Sequence, residues 1–272
     1  MEQHVSSITQ FVNHYLGGPV LALLSALHIT PEHSDRPIPE HVVMALLVLV
    51  IATILVAILR TRLSVERPGS FQQVAEMLIS NPMGFGVRDL VEENVHHDPL
   101  RYVPFIGSIG IFVLLANLMS VIPAFSAPSV QVTVPLACAI LTFFYFNYHG
   151  LRHHGPVKYT AHFAGPVWWL SPLIFPVEII STSARVLSLT VRLWANILAS
   201  DLIYAIFLSL FVGLTTWGWA KNPILGVALG LLPAILPLMF IALHVFVAIV
   251  QAYIFTILPS VYLGLATAEE HE

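Results

Sequence analysis

The sequence predicts an all-α, polytopic integral membrane protein of about five to six membrane helices. Three observations predict it. Only 10% of the 272 residues are Asp, Glu, Lys or Arg, against about 25% in an ordinary soluble domain. Hydrophobic residues make up 57%, and the mean hydropathy is +0.83. The charges also leave long gaps. Tyr102 to Leu151 is 50 residues without one, Asn222 to Ala268 is 47, and Tyr159 to Val177 and Leu202 to Ala220 are 19 each. A helix that crosses the bilayer core needs about 20 mostly apolar residues. A closed β-barrel would instead alternate apolar and polar residues in segments of about ten, and these runs are continuous.

The same composition excludes three classes. A soluble enzyme needs more polar surface than this chain holds. Disorder needs low hydrophobicity and high charge. A nucleic-acid binder needs a basic patch, and the formal net charge here is -4. The single cysteine, Cys138, lies inside an apolar run. It forms no internal disulfide and reads as a small buried residue.

Residues 1–37 are expected to be an N-terminal extramembrane segment, partly helical, with His4, His14, His28 and His33 solvated. A signal peptide begins with a basic region, whereas here Glu2 is present and no Lys or Arg precedes Arg36. Residues 38–272 are expected to form one membrane domain. Its first helix spans about 41–59 and is followed by Arg60, Arg62 and Arg67, a cluster that marks a cytoplasmic end and leaves the N-terminus outside. Residues 60–100 read as a cytoplasmic loop, with a short amphipathic helix at Phe71 to Ile79. The second and third helices are expected at 101–122, ended by Pro123, and 132–148. A second cytoplasmic loop, 149–165, holds Arg152 and Lys158. Seven of the 11 basic residues fall in these two loops or at their edges. The loop also holds His149, His153, His154 and His162, at a spacing that fits no standard metal site. Two long segments follow, 167–215 and 222–267, joined by a turn at Gly213 to Pro223. The last is too long for one perpendicular crossing at 1.5 Å per residue, so tilt, a kink near Pro233 or Pro237, or a break is expected.

The chemistry sits on these two segments. A charge in mid-membrane costs at least about 2.5–3.5 kcal/mol on insertion scales and marks function by default. Glu178, Arg185 and Arg192 are seven residues apart and share nearly one helix face, with Ser181, Ser188 and Asn196 beside it. Asp201, nine residues after Arg192, points the opposite way. His244 and Gln251 share a face of the last helix. Asp201 and His244 meet if the two helices pack together, and an acid and an imidazole exchange protons near neutral pH. Arginine stays charged and is a poor relay. The residues therefore suggest titratable groups that pass protons and one fixed cation that governs where they go. No cofactor motif is present.

Ser188-Leu-Thr-Val-Arg192-Leu-Trp-Ala-Asn196-Ile-Leu-Ala-Ser-Asp201-Leu-Ile resembles the signature of the subunit a family of F-type rotary ATP synthases. His244 through Gln251-Ala-Tyr-Ile-Phe to Val261-Tyr262-Leu263 and the Glu269-Glu270-His271 tail resemble its last helix. Ala116-Asn117-Leu118-Met119 with Pro123, Val130-Gln131-Val132-Thr133, and Pro68-Gly-Ser-Phe resemble its middle helices and first loop. The likeness covers roughly residues 40–272. Trp194-Ala195 replace the family's Phe-Gly, Ser120, Ser129 and Gln131 stand at frequently polar or acidic positions, and Asp201 is shorter than the common Glu.

The resemblance implies a proton-conducting stator subunit with no catalysis of its own, in the bacterial plasma (inner) membrane. The partners it implies are a ring of c subunits, peripheral-stalk b subunits, the rest of the ATP synthase and lipid. Arg192 matches the arginine that faces the ring. Asp201 and His244 match the outer half-channel, and Asn196 and Gln251 match polar positions near the arginine. Glu178 is expected on the inner path, and Ser188, Asn117, Ser120 and Gln131 as channel lining. The long segments are expected as a tilted, near-horizontal helix hairpin. A secondary ion or solute transporter is the alternative, and the sequence shows no internal repeat of the kind such folds carry. An intramembrane metalloprotease would need a His-Glu-x-x-His motif, which is missing.

Overall fold

The computed structural model describes residues 6–28, 30, 36–81, 84–122, 125–156, 158–159 and 169–268, with only the backbone over 231–237. His4, His33, His162, Pro123, Pro166 and the Glu269-Glu270-His271 tail lie outside the described residues. Among those residues the regular structure is all helical: α1 Ser7–Ala26, α2 Glu40–Thr61, α3 Ser70–Ile79, α4 Val87–Asn94, α5 Val103–Leu118, α6 Thr133–His154, α7 Ser171–Lys221 and α8 Pro223–Thr267. Five stretches are long and apolar enough to cross a membrane: Glu40–Thr61, Val103–Val121, Thr133–His154, Ser171–Lys221 and Leu238–Thr267.

The chain forms two compact units. The first comprises Met1–Leu46, Ala116–Gln131 and Leu193–Val250. Its N-terminal helix begins at Ser6, whose hydroxyl accepts from the Ile8 amide. It is tied down by Asn13, whose side chain donates to the Ile38 carbonyl and accepts from the Ile38 amide, both at 3.0 Å. Ser126 donates to Glu40 at the start of α2, where a carboxylate also complements the helix dipole. Met44, Ala116, Leu193, Ile197 and Ala248 are buried in this unit.

The second unit comprises Leu47–Leu115, Val132–Arg192 and Gln251–Glu272. Its core gathers Val91 and Val95 around Tyr102, Ile106, Phe146 and Leu263. Residues 60–100 are therefore structured rather than open loop. Gln72 exchanges two hydrogen bonds with the backbone of Ser64, and α4 places Val91 in the core while Arg88 pairs with Glu92 at its surface. Helix α6 runs past the expected end at 148 and carries Arg152, His153 and His154 in its last turn, where cations complement the helix C-terminus. It stops at Gly155, at φ 79°, a left-handed angle that suits glycine.

The expected turn at Gly213 to Pro223 shrinks to one residue, Asn222. Helix α7 continues through Gly213 and Gly218 to Lys221. Pro223 then opens α8, a first-turn position where its missing N–H costs nothing, and the Asn222 side chain accepts from the Ile224 amide at 3.0 Å. Gly218 serves helix contact instead. A Cβ on it would lie 2.7 Å from the Gly226 Cα. Helix α8 runs through Pro233 and Pro237 as one helix of 45 residues, and α7 has 51. Within the first unit α7 and α8 run antiparallel from the turn: Gly218 meets Gly226, Thr215 meets Gly230, Phe207 stacks on Phe240 and Ser200 meets His244. In the second unit, Arg192 meets Gln251 and Arg185 meets Tyr262.

Candidate functional site

The titratable centre of the first unit is His244, which is 7% exposed. Two segments converge on its ring. Its Nε2 lies 2.8 Å from the Ser120 hydroxyl and 3.1 Å from the main-chain carbonyl of Asn117, at the end of α5. Its Nδ1 lies 2.6 Å from the Ser200 hydroxyl on α7. The Asn117 side chain is held in turn by Ser129, whose hydroxyl donates to Asn117 Oδ1 at 2.7 Å. Ser129 belongs to the 3₁₀ turn Pro128–Val130, so the loop after α5 buttresses the site. Asp201, the residue after Ser200 on α7, is half-buried. Asp201 and His244 lie in the same compact unit, and no ion pair joins them among the described residues. Gln131 is exposed and takes no part in the His244 network.

In the second unit, Arg192 is exposed while Leu189, three residues before it, is buried. Its guanidinium makes no ion pair among the described residues. Ser188 and Asn196, one turn before and after it on α7, are also exposed. Gln251 approaches from α8. It is fully buried, and its amide donates to the Arg192 carbonyl at 2.9 Å. Glu178 and Arg185 form an ion pair, with 3.8 Å between Oε1 and Nη2. The Arg185 guanidinium lies 5.0 Å from the centre of the Tyr262 ring, a cation–π distance. Both side chains of the pair are partly exposed.

The sequence profile of the ATP synthase A chain family matches residues 41–264. The chain belongs to that family. The ATP synthase subunit a of Koribacter versatilis is 39% identical over 269 residues, which cover 99% of each chain. That of Solibacter usitatus is 40% identical over 259 residues, covering 95% of this chain and 99% of the relative. That of Sulfurimonas denitrificans is 39% identical over 222 residues, covering 81% of this chain and 88% of the relative. The site residues all lie inside the span that matches the ATP synthase A chain family.

Sequence reasoning missed Ser200 as a partner of His244. The two are 44 residues apart, and Ser120 and His244 are 124 apart, so neither contact leaves a periodic signal. Ser200 stands one residue before the acid on the motif helix, and that placement was the available hint.

Proposed function

We propose that this chain is the proton-conducting stator subunit of a rotary ATP synthase, non-catalytic on its own, in the plasma (inner) membrane of a bacterium. Its N-terminus lies outside and its C-terminus in the cytoplasm. It works against a ring of c subunits and is held by b subunits of the peripheral stalk. The observation that carries the reading is Arg192, a permanent cation exposed on the outward side of an apolar helix. Charges within membrane segments normally face the bundle interior and pair there. One that faces outward needs a partner surface bearing the counter-charge, and a ring of small apolar subunits with one carboxylate each supplies it. The family supports the same assignment.

Helix lengths support the tilted arrangement. At 1.5 Å per residue α7 is about 77 Å long and α8 about 68 Å, against a hydrocarbon core of about 30 Å. Neither stands upright in a bilayer without leaving apolar turns in water, so the hairpin lies steeply inclined along the membrane.

A proton enters from outside by way of Asp201 and His244, with Asn117 and Ser120 lining the path, and neutralises a ring carboxylate. The neutral carboxyl then faces lipid without the cost of a buried charge. After nearly a full turn of the ring it meets Arg192, whose charge favours the ionised form, and the proton leaves on the inner side past Glu178. Each charge that crosses releases about 2.3 kcal/mol per 100 mV. Arg192 separates the two paths, because a fixed cation repels a proton and never carries one. In the holoenzyme reconstituted into vesicles, Arg192→Ala is expected to reduce proton-driven ATP synthesis to background with the complex still assembled. Synthesis at the wild-type rate would sink the assignment.

A further inference from the structure

We infer that Ser200 and Ser120 are positioning residues that hold the His244 ring in one orientation and make Nδ1, on the α7 side, the nitrogen that takes up and releases the transported proton. This rests on the reading of Asp201 and His244 as the proton-loading pair.

The hydrogen-bond partners decide which ring nitrogen carries the resident hydrogen. The Asn117 carbonyl, 3.1 Å from Nε2, only accepts, so Nε2 is protonated in the neutral ring. The Ser120 hydroxyl donates to the same carbonyl at 3.1 Å. Its lone pairs are thereby free to accept from Nε2 at 2.8 Å. Nδ1 is then the lone-pair nitrogen, and the Ser200 hydroxyl donates to it at 2.6 Å. A ring flip would put Cε1 and Cδ2 where Nε2 and Nδ1 now sit and lose these hydrogen bonds, so the flip is disfavoured.

Ser200 stands apart from the other hydroxyls of its helix. Serine and threonine in helices commonly bond back to the carbonyl three or four residues earlier, and Thr182, Thr190 and Ser209 on α7 do so. The Ser200 hydroxyl instead reaches across to α8. A hydroxyl suits that place because it both donates and accepts. On loading, the proton leaves the Asp201 carboxyl and adds to the Nδ1 lone pair. Ser200 keeps its own hydrogen and rotates from donor to Nδ1 to acceptor from Nδ1–H, so no bond of the serine breaks. The resident Nε2–H stays on the Asn117 carbonyl throughout. Among the described residues, the ionisable side chain next to the Ser200 contact on α7 is Asp201.

The two serines are therefore unequal. Ser200 is the partner at Nδ1, whereas Nε2 keeps the Asn117 carbonyl if Ser120 is lost. The test compares Ser200→Ala, Ser200→Thr, Ser200→Cys, Ser120→Ala, His244→Ala and Asp201→Asn in the complete ATP synthase in vesicles. ATP-driven proton pumping is read as a function of outside pH and normalised to assembled complex. Ser200→Ala is expected to pump about three- to tenfold more slowly, the scale of one lost hydrogen bond, with a displaced pH profile. Ser200→Thr should restore rate and profile, and Ser200→Cys, a weaker donor, should fall between. Ser120→Ala should have the smaller effect. If His244→Ala and Asp201→Asn pump slowly while Ser200→Ala matches wild type in rate and profile, the positioning role is wrong and the loading pair stands. Equal slowing by Ser200→Ala and Ser200→Thr, or a larger effect of Ser120→Ala, also overturns it. Wild-type pumping by His244→Ala and Asp201→Asn would overturn the loading pair and this inference together. If the alanine variant fails to assemble, the threonine and cysteine variants carry the same comparison.

Discussion

Gln251 shows how much a single polar side chain does in lipid. It is fully buried, and its amide nitrogen donates to the Arg192 carbonyl, so α8 grips α7 at the residue that carries the fixed cation. Gln251→Leu keeps the volume and removes the grip. One neutral hydrogen bond is worth about 0.5–1.5 kcal/mol net, so a modest fall in thermal stability of the solubilised complex is expected. Under the proposed function the fall in proton-driven ATP synthesis should be larger, because Gln251 would hold Arg192 in place against the proposed ring. Unchanged synthesis with lowered stability would reduce Gln251 to packing. The sequence placed Arg192, Gln251, Asp201 and His244 as the residues to watch, since ionisable and amide groups stand out in apolar helices. It did not distinguish the roles of the serines. Ser129 supports Asn117 and Ser120 meets His244, while Gln131, similar in promise by sequence, is exposed. Hydroxyls carry no periodic signature, and their role depends on which segment folds against them.

At the scale of elements, the two glycines near the end of α7 differ in what surrounds them. Gly218 lies where a Cβ would come 2.7 Å from the Gly226 Cα, and backbone has no way to move aside, whereas Gly213 has open space around it. Gly218→Val should separate the helices near the turn at a cost of about 1–3 kcal/mol, the usual scale of overpacking. Gly213→Ala should be neutral or stabilising by up to about 1 kcal/mol, because alanine is the better helix former. Thermal melts of the two variants test the pair, and equal melting points would contradict the packing account. Both glycines looked like turn residues in the sequence. Local propensity cannot reveal that a glycine inside a helix exists for its neighbour, and the actual stop signal was the Asn222-Pro223 pair, an N-cap followed by a first-turn proline.

For the whole molecule, the testable statement is orientation. Cys138 is buried and should resist maleimide until the protein is unfolded. In a Cys138→Ser background, Val65→Cys places a thiol at a fully exposed position after α2. A membrane-impermeant maleimide should label it in inside-out vesicles and not in right-side-out ones. The reverse pattern would invert the topology that Arg60, Arg62 and Arg67 suggest. Residues 60–100 are more than a solvated loop, since Val91 and Val95 enter the core of the second unit. Their apolar content is low enough that composition alone reads the stretch as polar connection.

The sequence by itself determined that lipid is the solvent, that the chain is helical, and which few charges sit where lipid tolerates none without a purpose. Each of these follows from composition and local periodicity, which act over a helix length. Tertiary structure alone decided which partner each polar group has: Ser200 and Ser120 on His244, Gln251 on the Arg192 carbonyl, Tyr262 over Arg185. These pairs are 44, 124, 59 and 77 residues apart. A hydrogen bond of about 3 Å depends on how whole helices pack, and no local pattern along the chain encodes that distance.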